Sequence, residues 1–193
     1  MRQGGTKLVS KESIEANFYN IYKRMISIKE FENWVYRTPE IELFYGELYF
    51  SLIDLNYNQK YAGRDVMKLL EEYIPFAHFE YVRLTRCLKA VSNEEKIQSG
   101  VLEQLYEDYC RGYSFLRFIG LSCVGEADDP DLAGHDLTHH RQVFYWKMKC
   151  EADRLLGSLE NGDILLTGEY QYTDNRSDED RIEFTNIGKL FQT

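Results

Sequence analysis

The stretch that decides the fold is LTHHRQVFYWKMKCEADRLLGSLE, residues 137–160, which carries the strongest helical pattern in the chain. Its apolar residues recur at helical spacing and form one stripe, made of Leu137, Phe144, Met148, Ala152, Leu155, Leu156 and Leu159. Asn161 and Gly162 come next as a stop signal, because glycine adopts the left-handed backbone in which many helices end. The sequence therefore predicts a long helix over 137–160 with one buried face.

Shorter helices are predicted before residue 120. An amphipathic pattern begins at Glu12, and residues 27–30, Ser-Ile-Lys-Glu, form a capping-box sequence that opens a second helix. Residues 38–40, Thr-Pro-Glu, are a third start signal with Thr38 as the N-cap, and Gly46 is expected to interrupt the helix that begins there. Residues 47–57 fit a buried helix or a strand, and a helix is favoured. Further helical patterns cover residues 62–74, 79–91 and 101–118.

Three features of these patterns have specific expected roles. The inward positions predicted for residues 79–91 are Phe79, Val82, Leu84 and Leu88. Residues 92–95, Ser-Asn-Glu-Glu, form a second capping-box sequence that is expected to open another helix. Gly112 is expected to bend or break the last helical pattern.

The regions on either side of the long helix have a different character. Residues 120–136, GLSCVGEADDPDLAGHD, combine glycine and proline with acids, and we predict a long loop there. Beyond the long helix, the chain favours two β-segments, 163–173 and 181–185, joined by a polar turn over 174–180. The predicted fold class is therefore mainly α, a multi-helix globular bundle with a small C-terminal β-hairpin.

A chain of 193 residues fits one domain or two small ones. We expect residues 1–11 to be a loose lead-in, 12–119 a helical region and 120–136 a loop. Residues 137–193, which hold the long helix and the hairpin, are expected to pack on the helical region as one domain.

Acidic residues outnumber basic ones, 32 to 23, and the formal net charge is −9. The imbalance is local, since residues 94–193 carry −10, whereas residues 1–37 carry +3 and residues 38–93 carry −2. This distribution argues against direct binding of nucleic acid through the bulk surface, because neutralising phosphates needs a basic footprint. A basic protein partner is favoured instead.

Cellular location is inferred from three further features of the sequence. No run of 18 apolar residues is present, so no membrane span is predicted. The first residues, MRQGGTKLVSKES, lack the apolar core of a signal peptide, and the four cysteines are widely spaced with no CxxC. We expect a cytoplasmic protein with free thiols and without a cofactor.

One cluster has the chemistry of metal ligands, residues 134–140, GHDLTHH. His135 and His139 are four apart, as are Asp136 and His140, so each pair shares one face if the segment is helical. A metal-dependent hydrolase that uses these four residues is the alternative function. A simpler explanation is favoured, in which Asp136 caps the long helix and the histidines occupy its exposed first turn.

Other catalytic motifs are missing from the sequence. There is no GxSxG nucleophile sequence, and residues 4–7, Gly-Gly-Thr-Lys, do not meet the spacing of a phosphate-binding P-loop. Most of the cysteines fall in helical patterns, where they suit small apolar positions better than a catalytic role. We therefore favour a protein that is not an enzyme.

Acidic residues are concentrated in two segments, 126–131 and 174–183, that are expected to protrude. Such segments speed association with a basic partner and make binding depend on salt, although acids of this kind also serve simple solubility. Tyrosine and tryptophan flanked by carboxylates are typical of protein-binding hot spots. The candidate partner-binding residues are the acids Glu126, Asp128, Asp129, Asp131, Asp178, Glu179 and Asp180, with the aromatic anchors Trp146, Tyr170 and Tyr172.

Residues 26–74 resemble short bacterial proteins encoded beside polymorphic or contact-dependent toxins, especially in the stretches ISIKEFENWVY (26–36), ELYFSLIDLNY (47–57) and VMKLLEEYI (66–74). The likeness consists of fold-type residues: Phe31, Trp34, Leu48, Phe50, Ile53 and Tyr57. Proteins of that kind are regarded as immunity proteins, so the resemblance implies that this chain binds and neutralises a cognate toxin. It includes no catalytic motif and therefore implies no site residue.

The sequence favours a non-enzymatic inhibitor that binds a basic macromolecule through an acidic, aromatic-containing surface. Its partner is expected to be a toxin, for which this chain is the immunity protein, or a nucleic-acid-binding defence protein that a phage inhibits. A third hypothesis is a structural or assembly protein, for example a homodimer that buries the excess of tyrosine and phenylalanine in this chain.

Overall fold

The structure, a computed structural model, describes residues 9–93, 98–125 and 137–181, apart from the side chains of 123–125, 137–142 and 144. Over these residues the chain is mainly helical with one small antiparallel hairpin, which confirms the predicted fold class. The helices are α1 (Lys11–Tyr22), α2 (Ile28–Arg37), α3 (Glu40–Ile53), α4 (Ala62–Leu70), α5 (Phe76–Asn93), α6 (Ser99–Arg111), α7 (Arg117–Gly125) and α8 (Leu137–Glu160). The strands are β1 (Ile164–Gly168) and β2 (Gln171–Asp174), and short 3-10 segments span Glu71–Tyr73 and Ser114–Leu116.

The chain divides into two compact units, residues 1–79 and 80–193. Each unit has its own cluster of buried apolar side chains. The boundary falls inside α5, where the helical pattern of the sequence runs without a break. None of the described helices combines the length and the apolar character needed to cross a membrane.

In the first unit, α1 to α4 contribute to an apolar core. Its buried members include Ile14, Phe18, Phe31, Val35, Leu48, Leu52, Val66 and Leu70. The predicted capping box opens α2: the Glu30 N–H donates to Ser27 Oγ at 3.2 Å, and the Ser27 N–H donates to Glu30 Oε2 at 2.8 Å. Hydrogen bonds from the Ser27 hydroxyl and backbone lower the pKa of the Glu30 carboxyl.

The start of α3 differs from the prediction by one residue. Pro39 is the N-cap, and the predicted cap Thr38 is wrong, because its hydroxyl donates to a carbonyl of α2 at 2.8 Å instead. The helix is kinked at Tyr45 (φ −144°, ψ 55°), next to Gly46, where the sequence predicts an interruption. The Tyr45 hydroxyl donates to Glu15 Oε1 at 2.5 Å, which connects the kink to α1.

In the second unit, α5 to α8 and the hairpin contribute to another apolar core. Its buried members include Leu84, Leu88, Leu105, Leu116, Ile119, Ala152 and Leu155. The predicted inward position Val82 is wrong, since this residue is 52% exposed. Glu80 is buried instead, because it lies one helical turn before Leu84 on the same face of α5.

The long helix has the predicted bounds. It runs from Leu137 to Glu160, and Gly162 comes after it with a φ of +79°. The part of its apolar stripe that the structure describes is buried, at Met148, Ala152, Leu155, Leu156 and Leu159.

The loop predicted over 120–136 is wrong for residues 120–125, which belong to α7. A Cβ on Gly120 would lie 3.1 Å from the Cβ of Tyr109, so the missing side chain lets α7 approach α6 closely. Glycine is therefore a packing residue here and not a helix breaker. Residues 126–136 lie outside the described residues, and their loop stays a prediction.

The remaining start and stop signals have opposite outcomes. Ser92 does not open a helix, because it lies in the last turn of α5 and its hydroxyl donates to the Asp153 carboxylate on α8. Residues 94–97, which complete that predicted capping box, lie outside the described residues. Gly112 ends α6 as predicted, with a φ of +142° that favours glycine.

The hairpin lies closer to α8 in sequence than predicted. Its strands pair with Ile164 opposite Asp174 and Leu166 opposite Tyr172, so the turn lies at residues 169–170. The polar turn predicted over 174–180 is therefore not the hairpin turn. The partner strand predicted over 181–185 falls, after its first residue, outside the described residues.

Candidate functional site

An acidic segment begins at the end of β2, and we call residues 174–181 the acidic turn. Asp178, Glu179 and Asp180 are exposed within it, and the Asp178 side chain is 96% accessible. The Asp180 N–H donates to Ser177 Oγ at 3.2 Å, and the Ser177 hydroxyl donates to Asp180 Oδ2 at 2.6 Å. These reciprocal bonds give the exposed carboxylates a defined local backbone.

Two arginines within the acidic turn neutralise part of its charge. Arg176 is buried and donates to Asp174 from Nε at 2.9 Å and from Nη2 at 2.7 Å. These bonds hold the pKa of Asp174 below its usual value. Arg181 donates to the Asp174 carbonyl at 3.0 Å and to Asp178 Oδ1 at 3.2 Å. Four carboxylates against two guanidiniums leave the acidic turn negative.

Helix α8, which belongs to the core of the second unit, is hydrogen-bonded to the acidic turn. Arg154 donates to both oxygens of the buried Glu151, at 2.8 and 2.7 Å, and also to the backbone carbonyl of Asp180. Trp146 lies two helical turns before Arg154, about 12 Å along the axis, and it is 52% exposed. The structure thus attaches one predicted anchor and the predicted acids 178–180 to the same helix.

The other two predicted anchors are half-buried in the hairpin. The ring of Tyr172 packs edge-on against Phe115 with the centroids 4.9 Å apart, and its hydroxyl lies 2.5 Å from Ser114 Oγ. The ring of Tyr170 lies 5.3 Å from that of Tyr113. Both tyrosines therefore hold the hairpin on its unit, and each leaves only part of its surface for a partner.

A buried network of charged groups, which the sequence did not predict, lies behind the hairpin. Arg83 donates to both oxygens of Asp108, at 2.6 and 2.9 Å, and to Glu80 Oε2 at 2.5 Å. Neither carboxylate is accessible to solvent. The only signal in the sequence is that Glu80 occupies a position of the apolar stripe of α5, one turn before Leu84.

Tyr113 connects this network to the hairpin. Its hydroxyl accepts the Tyr170 N–H at 3.0 Å and donates to Glu80 Oε2 at 3.1 Å, with the Gly168 carbonyl also within reach at 3.3 Å. Burial and the Glu80 carboxylate both raise the pKa of the Tyr113 hydroxyl, which therefore stays protonated as a donor. The network thus positions the strand that leads into the acidic turn.

Several predicted site residues lie where the structure does not describe them. Glu126, Asp128, Asp129 and Asp131 fall outside the described residues, as do His135 and Asp136. His139 and His140 lie in the first turn of α8, and the structure does not describe their side chains. Among the side chains that are described, no three His, Cys, Asp or Glu residues form a group able to hold a metal ion. The metal site and the acids of the loop stay predictions.

The described site consists of exposed carboxylates on a locally ordered backbone, with a half-exposed tryptophan on the helix that supports them. Such an arrangement suits contact with a cationic protein surface. No family model, curated protein or solved structure matches this chain.

Proposed function

We propose that this protein is a non-enzymatic binding protein that inhibits a basic macromolecular partner through the acidic turn. The observation that carries the proposal is the attachment of this turn to α8, since Arg154 holds the carbonyl of Asp180 while Asp178 and Glu179 remain exposed. The partner is a basic protein, either a toxin for which this chain is the immunity protein or a defence protein that a phage inhibits.

The local order of the acidic turn matters for affinity. Ordering a loop on binding costs free energy, and a segment that already has its bound conformation avoids that cost. The Ser177–Asp180 bonds and the two arginines supply this order before a partner arrives. Exposed carboxylates of one sign also steer a cationic partner and raise its association rate.

Trp146 is the proposed anchor of the interface. Tryptophan contributes strongly to protein interfaces when it enters a pocket that excludes water. A tryptophan that is 52% exposed on the free protein has apolar surface available for such burial. Its place on α8, the helix that also holds the acidic turn, supports one continuous contact with the partner.

The resemblance of residues 26–74 to immunity-type proteins supports the same class of function. A toxin is the partner that this resemblance favours.

A photo-crosslinking experiment tests the proposal. A benzophenone amino acid at Glu179 is expected to capture a basic protein in the cells that encode this chain. The matched control carries the same group at Glu71, an exposed acid of the first unit. An acidic captured protein, or the same adduct from both positions, would contradict the proposal.

The salt dependence of binding gives a second test with purified proteins. We expect the triple variant Asp178→Asn, Glu179→Gln, Asp180→Asn to weaken binding to the captured partner by about tenfold or more at low salt. The variant Glu42→Gln, Glu71→Gln, Glu72→Gln removes as many exposed charges from the first unit and should leave affinity unchanged. Binding that is equally strong at low and high salt counts against the acidic turn.

A further inference from the structure

A cleft of about 620 Å³ lies within the first unit, between the turn that joins α1 to α2 and the start of α4. Its lining combines apolar side chains such as Ile21 and Met67 with the three cations Arg24, Lys60 and Arg64. No carboxylate is among the described residues that line it. A cleft of this volume has room for a small organic molecule.

None of the three cations has a described carboxylate as its ion-pair partner. Arg83 and Arg176 are each paired with a carboxylate, whereas Arg24, Lys60 and Arg64 form no ion pair with any described residue. A chain with 32 acidic residues has many carboxylates that such cations would attract. Three cations around one cleft, none of them paired within the described chain, therefore indicate a site that favours an anion.

Two of these cations lie against the ring of Tyr61. The Lys60 ammonium lies 5.5 Å from the centre of its ring, and the Arg64 guanidinium lies 4.8 Å from it. Two like charges beside one ring raise the local positive potential, which favours an anion nearby. Because Arg64 also belongs to the first turn of α4, the positive end of that helix dipole adds to the attraction.

Arg24 occupies a backbone position where glycine is favoured. Its φ is +57°, and it comes directly after the C-cap of α1 in a turn closed by the Met25 N–H on the Asn20 carbonyl at 2.8 Å. An arginine tolerates this left-handed conformation poorly, and its side chain lines the cleft. The need for a cation in the cleft accounts for a residue that the turn itself does not favour.

We propose that the cleft binds a free nucleotide, with its phosphates on Arg24, Lys60 and Arg64 and its base on the apolar floor at Ile21 and Met67. Guanidinium groups pair with phosphate oxygens two at a time, and three cations match the charge of a polyphosphate. Inorganic phosphate alone leaves most of the cleft and its apolar lining unused. The proposal is independent of partner binding at the acidic turn, which belongs to the second unit.

Calorimetric titration of the full chain with ATP, tripolyphosphate and adenosine tests this assignment. We expect ATP to bind more tightly than either tripolyphosphate or adenosine, because only ATP uses both the cations and the floor. The variants Arg24→Gly and Lys60→Gln/Arg64→Gln should each weaken ATP binding by about tenfold or more. Lys68→Gln, on the same helix as Arg64 but outside the cleft lining, should leave ATP binding unchanged.

Each other result overturns the proposal. Absence of ATP binding at millimolar concentration removes the site, and equal affinity for tripolyphosphate and ATP shows that the floor does not hold a base. Unchanged ATP affinity in both cleft variants shows that the cations are not the ligands. Because glycine suits a φ of +57°, Arg24→Gly should unfold at the same temperature as the parent or a higher one, which separates lost binding from lost folding.

Discussion

The Tyr113 hydroxyl accepts the backbone N–H of Tyr170 at 3.0 Å, and this bond joins the end of α6 to the turn of the hairpin. Tyr170 has a φ of +54°, a conformation that a tyrosine adopts only where its surroundings enforce it. The carbonyl of Tyr170 in turn lies 3.0 Å from the point where Gly112 would carry a Cβ. The hairpin turn at residues 169–170 is therefore held by its contacts with Gly112 and Tyr113, because a tyrosine at position 170 does not itself favour a turn.

Loss of the Tyr113 hydroxyl is expected to destabilise the second unit. Tyr113→Phe leaves the Tyr170 N–H and a buried oxygen of Glu80 without this partner, so we expect the free energy of unfolding to fall by about 1–3 kcal/mol. Urea denaturation measures the loss, and amide exchange should rise most at residues 170–174. Tyr81→Phe is the control, because Tyr81 packs on the same core and its hydroxyl has no hydrogen bond to any described residue.

Two glycines are expected to respond to alanine with opposite signs. Gly112→Ala places a Cβ against the backbone of Tyr170 at an unfavourable φ and should destabilise the protein by about 1–2 kcal/mol or more. Gly157→Ala meets open space inside α8 and should stabilise it by about 0.5–1 kcal/mol. Thermal unfolding of both variants checks the prediction, and a shared direction would contradict the role given to Gly112.

Removal of Arg83 is expected to have a larger effect. Arg83→Met leaves the carboxylates of Glu80 and Asp108 buried without their cation, which typically costs about 3–5 kcal/mol. Adding Glu80→Gln and Asp108→Asn to Arg83→Met should recover part of the loss, since no buried charge then remains in this network. Arg86→Met on the exposed face of the same helix is the control, and denaturant unfolding is the measurement. Equal losses for Arg83→Met and Arg86→Met would contradict the network.

Acid is expected to loosen the acidic turn through Asp174. The hydrogen bonds from Arg176 lower the pKa of Asp174 in the folded protein, so its contribution to stability is fully present above the unfolded pKa, about 3.9. That contribution is lost as the pH falls from there through the folded pKa. The difference in unfolding free energy between the parent and Asp174→Asn should therefore be constant from neutral pH to about pH 5 and shrink below about pH 4. A difference that grows on acidification would reverse the assigned sign.

Local signals explain which parts of the fold were predictable. The capping box at Ser27 and Glu30, the bounds of α8 and the break at Gly112 all depend on residues close in sequence. Hydrogen bonds at helix ends and the preference of glycine for positive φ act over a few residues. These signals can therefore be recognised in one amino-acid sequence without knowledge of the tertiary structure.

The errors arise where distant contacts override local preference. Gly120 has the composition of a loop residue, but contact with Tyr109 makes it part of a helix pair. Glu80 has a charge that predicts exposure, but Arg83 and Asp108 make its burial tolerable. The residues next to Gly120 and Glu80 in the sequence do not indicate which distant side chains will contact them.

The candidate site also has one part that the sequence predicts and another that depends on tertiary packing. Composition alone located the acids 178–180, because charge of one sign in a polar segment favours exposure. Their support by Arg154, and the half-burial of Tyr170 and Tyr172, depend on packing between elements.

By itself the sequence determined a helical chain with a C-terminal hairpin and an acidic second half, since helical periodicity, end signals and charge are local properties. Only the tertiary structure decided where the hairpin turns, which carboxylates are buried and which arginines of the described chain pair with them. Those outcomes depend on pairs such as Tyr113 and Tyr170, whose bond forms between residues far apart in the chain.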